Sequence, residues 1–274
     1  MPKPDLMALT GGYRKTPVLQ IGAEIYCDTA LICRVIDRLY PANSVYPLEQ
    51  TAALGAAVHW TDTFLFKVSV AVAFQPKALA GSDLFSDQAA AAAFMADRAE
   101  LSKGSTELGI DLKIAAPYWT MHMQRLDAQL STADFLGGDQ PNVLDFSTYH
   151  CCWFVYKNEA LKPELEQFPA LAQWMLRIAG FGHGEIVSIN GEEAVAIARD
   201  SDIATAPKAT DFVDEQLSVG TSVDVMPIDY GFQPTQGELL LASTEEIVIK
   251  RVDERAGNVA VHFPRLGFQV NASQ

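Results

Sequence analysis

The hydrophobic period of the chain changes, and a chain with two periods cannot fold into one kind of element. From about Leu48 to Asp202 apolar residues recur at helical spacing. Leu54, Val58, Leu65 and Val68 make one such run, and Ala92, Met95, Ala99 and Leu101 another. From about Lys208 onward the period falls to two. "TSVDVMPIDYG", "GELLLAST", "EEIVIKRVD", "NVAVHFPR" and "GFQV" read as short strands broken by Gly, Pro and Asp. Five strands in so short a stretch predict a small antiparallel barrel or sandwich. A third texture precedes both. Thr16 to Ile21 and Glu24 to Cys27 read as strands joined by a turn at Gly22-Ala23, and a helix follows from Thr29 to Leu39, stopped by Pro41. The class is therefore α+β and multi-domain, with expected divisions at 1–40, 48–203 and 208–274. "TAPKAT" reads as the linker into the last of them.

Composition narrows what such a chain does. Its 274 residues are 49% apolar and 20% charged, which provides for a sizeable core and argues against disorder. The formal net charge is -14, and the densest basic spots, Arg14-Lys15 and Lys250-Arg251, are short. Nucleic acid is therefore not an expected partner, because phosphate binding needs clustered cations. The apolar stretch from Phe64 to Phe74 is too short to span a bilayer and is interrupted by Lys67, so no membrane association is expected. "MPKPDLMAL" lacks the charged head and apolar core of a secretion signal. Cys27, Cys33, Cys151 and Cys152 fit no zinc spacing and read as reduced thiols of a cytoplasmic protein.

Three local patterns carry chemistry. Pro17 sits inside a predicted strand, where a trans proline loses a ladder hydrogen bond. It is either the start of an edge strand or a cis proline that turns the next backbone unit toward a ligand. Asp28-Thr29 opens a helix, where unpaired N–H groups attract an anion and a hydroxyl adds a donor. A plain N-cap explains the same pair. Asn142 to Asp145 is a capping box at the head of "NVLDFSTYHCCWFVY", a helix apolar on nearly all sides and hence central. Cys27 beside Asp28 reads as a buried strand thiol rather than a reactive one.

"KTPVLQIGAEIYCDTALI" and "FLGGDQPNVLDFSTY" together resemble the glutathione S-transferase family, over roughly Pro4 to Asp202. The first stretch is similar to the second half of that family's thioredoxin-like domain, and the second to the start of the central helix of its all-helical domain. The resemblance implies glutathione as co-substrate. It implies a cis Pro17, with Val18 pairing its backbone to the cysteinyl unit of the tripeptide. It gives Asp28 and Thr29 the γ-glutamyl end and Lys15 the glycyl carboxylate. Asn142 and Asp145 become structural. His59, Trp60, Tyr118, Trp119 and His122 fall on helices that flank the second-substrate pocket in the family, although aromatic residues at such spacing are commonly core. A homodimer is also implied.

The resemblance leaves one part of the family's site without a counterpart. The Ser, Tyr or Cys that activates the glutathione sulfur follows a first strand, helix and strand that have no match here, so no catalytic residue is assigned. That segment is expected upstream of Met1. Without it, the strand at Thr16–Ile21 is expected to present an open edge, and a lone hairpin is marginal in water. Two readings remain. One is a transferase passing glutathione thiol to a small electrophile, including isomerase or dehalogenase variants. The other is a non-catalytic glutathione-binding or interaction module on the same fold.

Overall fold

The computed structural model describes residues 3–47, 51–79, 88–107, 109–206 and 217–273. In chain order the elements begin with α1 (Pro4–Thr10), β1 (Val18–Ile21), β2 (Glu24–Cys27) and α2 (Thr29–Leu39). Helices α3 (Thr51–Trp60), α4 (Phe66–Ala73), α5 (Pro76–Leu79), α6 (Gln88–Leu101), α7 (Leu112–Leu130) and α8 (Val143–Tyr156) follow. After them come α9 (Lys162–Glu166), α10 (Pro169–Ala179) and α11 (Gly191–Arg199). The chain ends in β3 (Ser222–Pro227), β4 (Thr235–Ala242), β5 (Glu246–Asp253), β6 (Gly257–Pro264) and β7 (Phe268–Ala272). Among the described residues no helix is long and apolar enough to cross a membrane. Most of "TAPKAT" lies outside the described residues.

The chain forms two compact units. One, Asp37–Ala91 with Leu108–Ile186, is helical. Its core packs Val68, Met123, Cys152, Val155, Leu171 and Trp174 together. The predicted capping box is present at the head of α8. Asn142 accepts from the Leu144 N–H at 2.9 Å, and Asp145 Oδ2 accepts from the Asn142 N–H at 3.0 Å. Asp145 is fully buried, and its other oxygen accepts from the Leu136 N–H and from Trp174 Nε1, each at 2.8 Å. Those donors satisfy a carboxylate that burial would otherwise penalise heavily. A π-turn at Thr61–Leu65 joins α3 to α4.

The other unit, Met1–Ile36 with Ala92–Glu107 and Val187–Gln274, is built on a seven-stranded sheet in the order β1-β2-β6-β5-β4-β3-β7. All five C-terminal strands stand where the alternation predicts them, paired antiparallel. The sheet does not stop there. β2 pairs in parallel with β6, setting Ile25 against Val261 and Tyr26 against His262, and the Ala260 N–H donates to the Ala23 carbonyl at 2.9 Å. The hairpin expected to stand alone is thus continuous with the C-terminal strands. The physical reason is plain: strands of four residues cannot hold by themselves, and β2 buries Ile25 and Cys27 completely only with neighbours on both sides. One face of the sheet packs Ile25, Val223, Leu239, Ile249 and Val261 against Ala8 and Leu9 of α1 and Val195 and Ala198 of α11. β1 lies at the sheet's edge.

A buried polar cluster crosses the β2–β6 seam. His262 of β6 hydrogen-bonds Glu24 of β2 through Nε2, and Glu246 of β5 through Nδ1 at 2.7 Å. Glu24 also accepts from the N–H groups of Ala204 and Thr205 at 2.6 and 3.0 Å and from the Thr205 hydroxyl at 2.7 Å. The Tyr26 ring lies against the imidazole, with centroids 4.2 Å apart. Burial pushes the Glu24 carboxyl up, but the hydrogen bonds from His262 and Thr205 outweigh it and hold it well below the usual carboxylate range. Burial pushes His262 down, and its bonds to Glu24 and Glu246 overcome that, so the imidazole is more basic than usual.

Candidate functional site at the open end of the hairpin

The antiparallel register sets Val18 opposite Cys27, so Pro17 and Asp28 are neighbours where the two strands leave the hairpin. The Thr16–Pro17 peptide is cis. Asp28 adopts φ 75°, the one non-glycine residue with a positive φ among the described residues. Such a backbone costs about 1–3 kcal/mol and is found where function or packing over-determines it. Its carbonyl accepts from the Ile32 N–H at 3.0 Å and its Oδ1 from the Ala30 N–H at 2.9 Å, so Asp28 caps α2. Thr29, the first residue of that helix, is exposed. Pro17 is also exposed, while Val18 and Asp28 are half-buried. Burial raises the Asp28 carboxyl; the Ala30 N–H and the charge of Lys15 act the other way without cancelling it.

Lys15 is not free in this arrangement. Its Nζ donates to both carboxylate oxygens of Asp229, at 2.7 and 2.9 Å, and sits 3.7 Å from the centre of the Tyr230 ring. Burial lowers the basicity of the amine, which Asp229 partly restores. Tyr230 has its hydroxyl pushed up to about 12, first by burial and then by the charge of Asp229. Asp229 and Tyr230 belong to the connection from β3 to β4. Ser105 Oγ donates to the Asp229 carbonyl at 2.6 Å, and the Gly231 N–H donates to the Leu101 carbonyl at 2.9 Å, which fixes that connection to the end of α6. Sequence reasoning missed Asp229 and Tyr230. Their only local signal is "DYG", an ordinary turn.

Cys27 is fully buried, and burial together with the Asp28 carboxylate pushes its thiol well up, as fits a strand thiol rather than a nucleophile. In the helical unit, Trp60, Phe64, Tyr118 and His122 form an aromatic cluster around the π-turn. Trp60 lies 5.6 Å from Phe64 and 5.0 Å from His122, and Phe64 meets Tyr118 edge-on at 5.4 Å. Burial pushes His122 down to about 4. Trp119 is core, whereas His59 is exposed. Among the described residues no group of His, Cys, Asp and Glu could hold a metal ion.

Comparison with known proteins adds four findings. The family model for the glutathione S-transferase N-terminal domain matches residues 1–44. Among solved structures, a GST-like protein from Pseudomonas syringae is 37% identical with a TM-score of 0.82, covering 100% of this chain and 87% of its own. A poplar glutathione transferase is 15% identical with a TM-score of 0.44, over 71% of this chain and 78% of its own. No curated protein matches.

Proposed function

Because the chain belongs to the glutathione S-transferase family, we propose that it binds glutathione at the open end of the β1–β2 hairpin and passes the thiol to a small electrophile. The observation that carries this reading is the convergence of Lys15, Pro17, Val18, Asp28 and Thr29 on that end, with the start of α2 among them. The N–H groups of the first turn of α2 and the Thr29 hydroxyl suit the carboxylate of the γ-glutamyl unit. The Asp28 carboxylate suits its ammonium group, and an ammonium placed there stabilises the charged carboxylate that burial disfavours. The backbone of Val18, at the sheet's edge, suits the cysteinyl peptide unit.

The test is calorimetric titration of the protein with glutathione. Asp28→Ala and Thr29→Ala are each expected to weaken binding about tenfold, the loss of one charge-assisted or anion-directed contact. The thermal midpoint of Thr29→Ala should barely move, because the residue is exposed. Equal affinity in wild type and Asp28→Ala would remove the site from the hairpin. Thiol-dependent turnover of an electrophile separates the transferase from a protein that only holds the peptide.

A further inference from the structure

We propose that Asp229 is a built-in competitor for Lys15: the β3–β4 connection occupies this amine, and a ligand's carboxylate must displace it to bind there. The inference rests on the glutathione reading of Lys15 and goes beyond it, because it concerns how access to that amine is regulated. Three observations carry it. The Asp229 carboxylate takes Lys15 Nζ through both oxygens, as a ligand carboxylate would. The connection is fastened on its backbone rather than by this ion pair, through Ser105 to the Asp229 carbonyl and Gly231 to the Leu101 carbonyl. The side chain is held by one further bond, from the Tyr230 N–H to Oδ1 at 2.7 Å, so a carboxylate that swings away gives up that bond as well as Lys15 while its backbone stays. The two partners also differ in exposure: the Lys15 side chain is 14% exposed and that of Asp229 42%. A departing Asp229 carboxylate moves into water, while the amine remains beneath its opening with the Tyr230 ring beside it.

The chemistry of the exchange is carboxylate for carboxylate. No charge is created or lost at Lys15, so the contest depends on geometry and concentration. A glutathione whose glycyl carboxylate is capped has nothing to offer Lys15 and leaves Asp229 in place. The device therefore penalises the uncapped peptide and spares the capped one.

The experiment measures the affinity of wild type and Asp229→Asn for two probes, glutathione and its glycyl ethyl ester. Removing the competing charge is expected to tighten glutathione about tenfold and to leave the ester within about twofold. Ser105→Ala, which loosens the connection and keeps the carboxylate, should shift glutathione in the same direction by less, and it stands in should Asp229→Asn fail to fold. In a Lys15→Ala background Asp229→Asn should change neither probe. If both probes tighten equally, or neither changes, the competitor is refuted while the glutathione site stands. If neither probe binds wild type or either variant, the glutathione reading falls, and the competitor with it.

Discussion

A histidine clasped by two glutamates inside a sheet sets a pH range for the fold. Glu24 is held below the usual carboxylate range, so its contribution is present above its unfolded value of about 4.3 and is lost as pH falls through the lower folded value. His262 is raised, so its contribution is present below about 6.5 and is lost as pH rises through the higher folded value. The cluster therefore stabilises most between those limits. Glu24→Gln should cost about 3–5 kcal/mol near pH 6, since it leaves a buried imidazolium without its closest partner, and less at pH 9. Urea unfolding across that range checks it; a cost unchanged by pH would mean that His262 is neutral throughout. The same scale explains what the sequence reveals. Asp28 and Asn142 are legible because each caps backbone two residues away, and Pro17 because its effect is on its own peptide bond. Asp229 and His262 are not, because Lys15 lies 214 residues from Asp229 and Glu24 lies 238 from His262. A turn aspartate and a strand histidine carry no mark of such partners.

At the scale of elements, β2, α2 and the five C-terminal strands are legible because alternation, a capping pair and turn residues are local signals. The pairing of β2 with β6 is illegible for the converse reason: parallel neighbours far apart in sequence share no turn that would announce them. That seam is testable. Ala260→Pro removes the N–H that donates to the Ala23 carbonyl, in a strand paired on both sides. It should destabilise by roughly 3 kcal/mol or more, and hydrogen exchange should quicken in β2 as well as in β5 and β6. Protection of β2 unaffected by the change would show that the hairpin holds on its own.

The molecule as a whole carries a net charge of -14, and glutathione carries more carboxylates than ammonium groups. The long-range field therefore opposes the proposed encounter, the more so because Lys15 is already neutralised by Asp229. Added salt should raise the association rate in stopped flow, by about threefold between 0.01 and 0.15 M as the Debye length shrinks. A rate that falls with salt would point to a local positive field at the hairpin that outweighs the global one. The division into two units has an optical consequence. Trp60, Trp119, Trp153 and Trp174 all belong to the helical unit, and the unit built on the sheet has no tryptophan. Indole emission therefore reports the environment of the helices, while the chromophores beside the hairpin and the β3–β4 connection are the phenols of Tyr13, Tyr26 and Tyr230. A titration followed at tryptophan wavelengths therefore watches the unit that does not contain the proposed site, and a probe of the site itself has to be introduced into the unit built on the sheet.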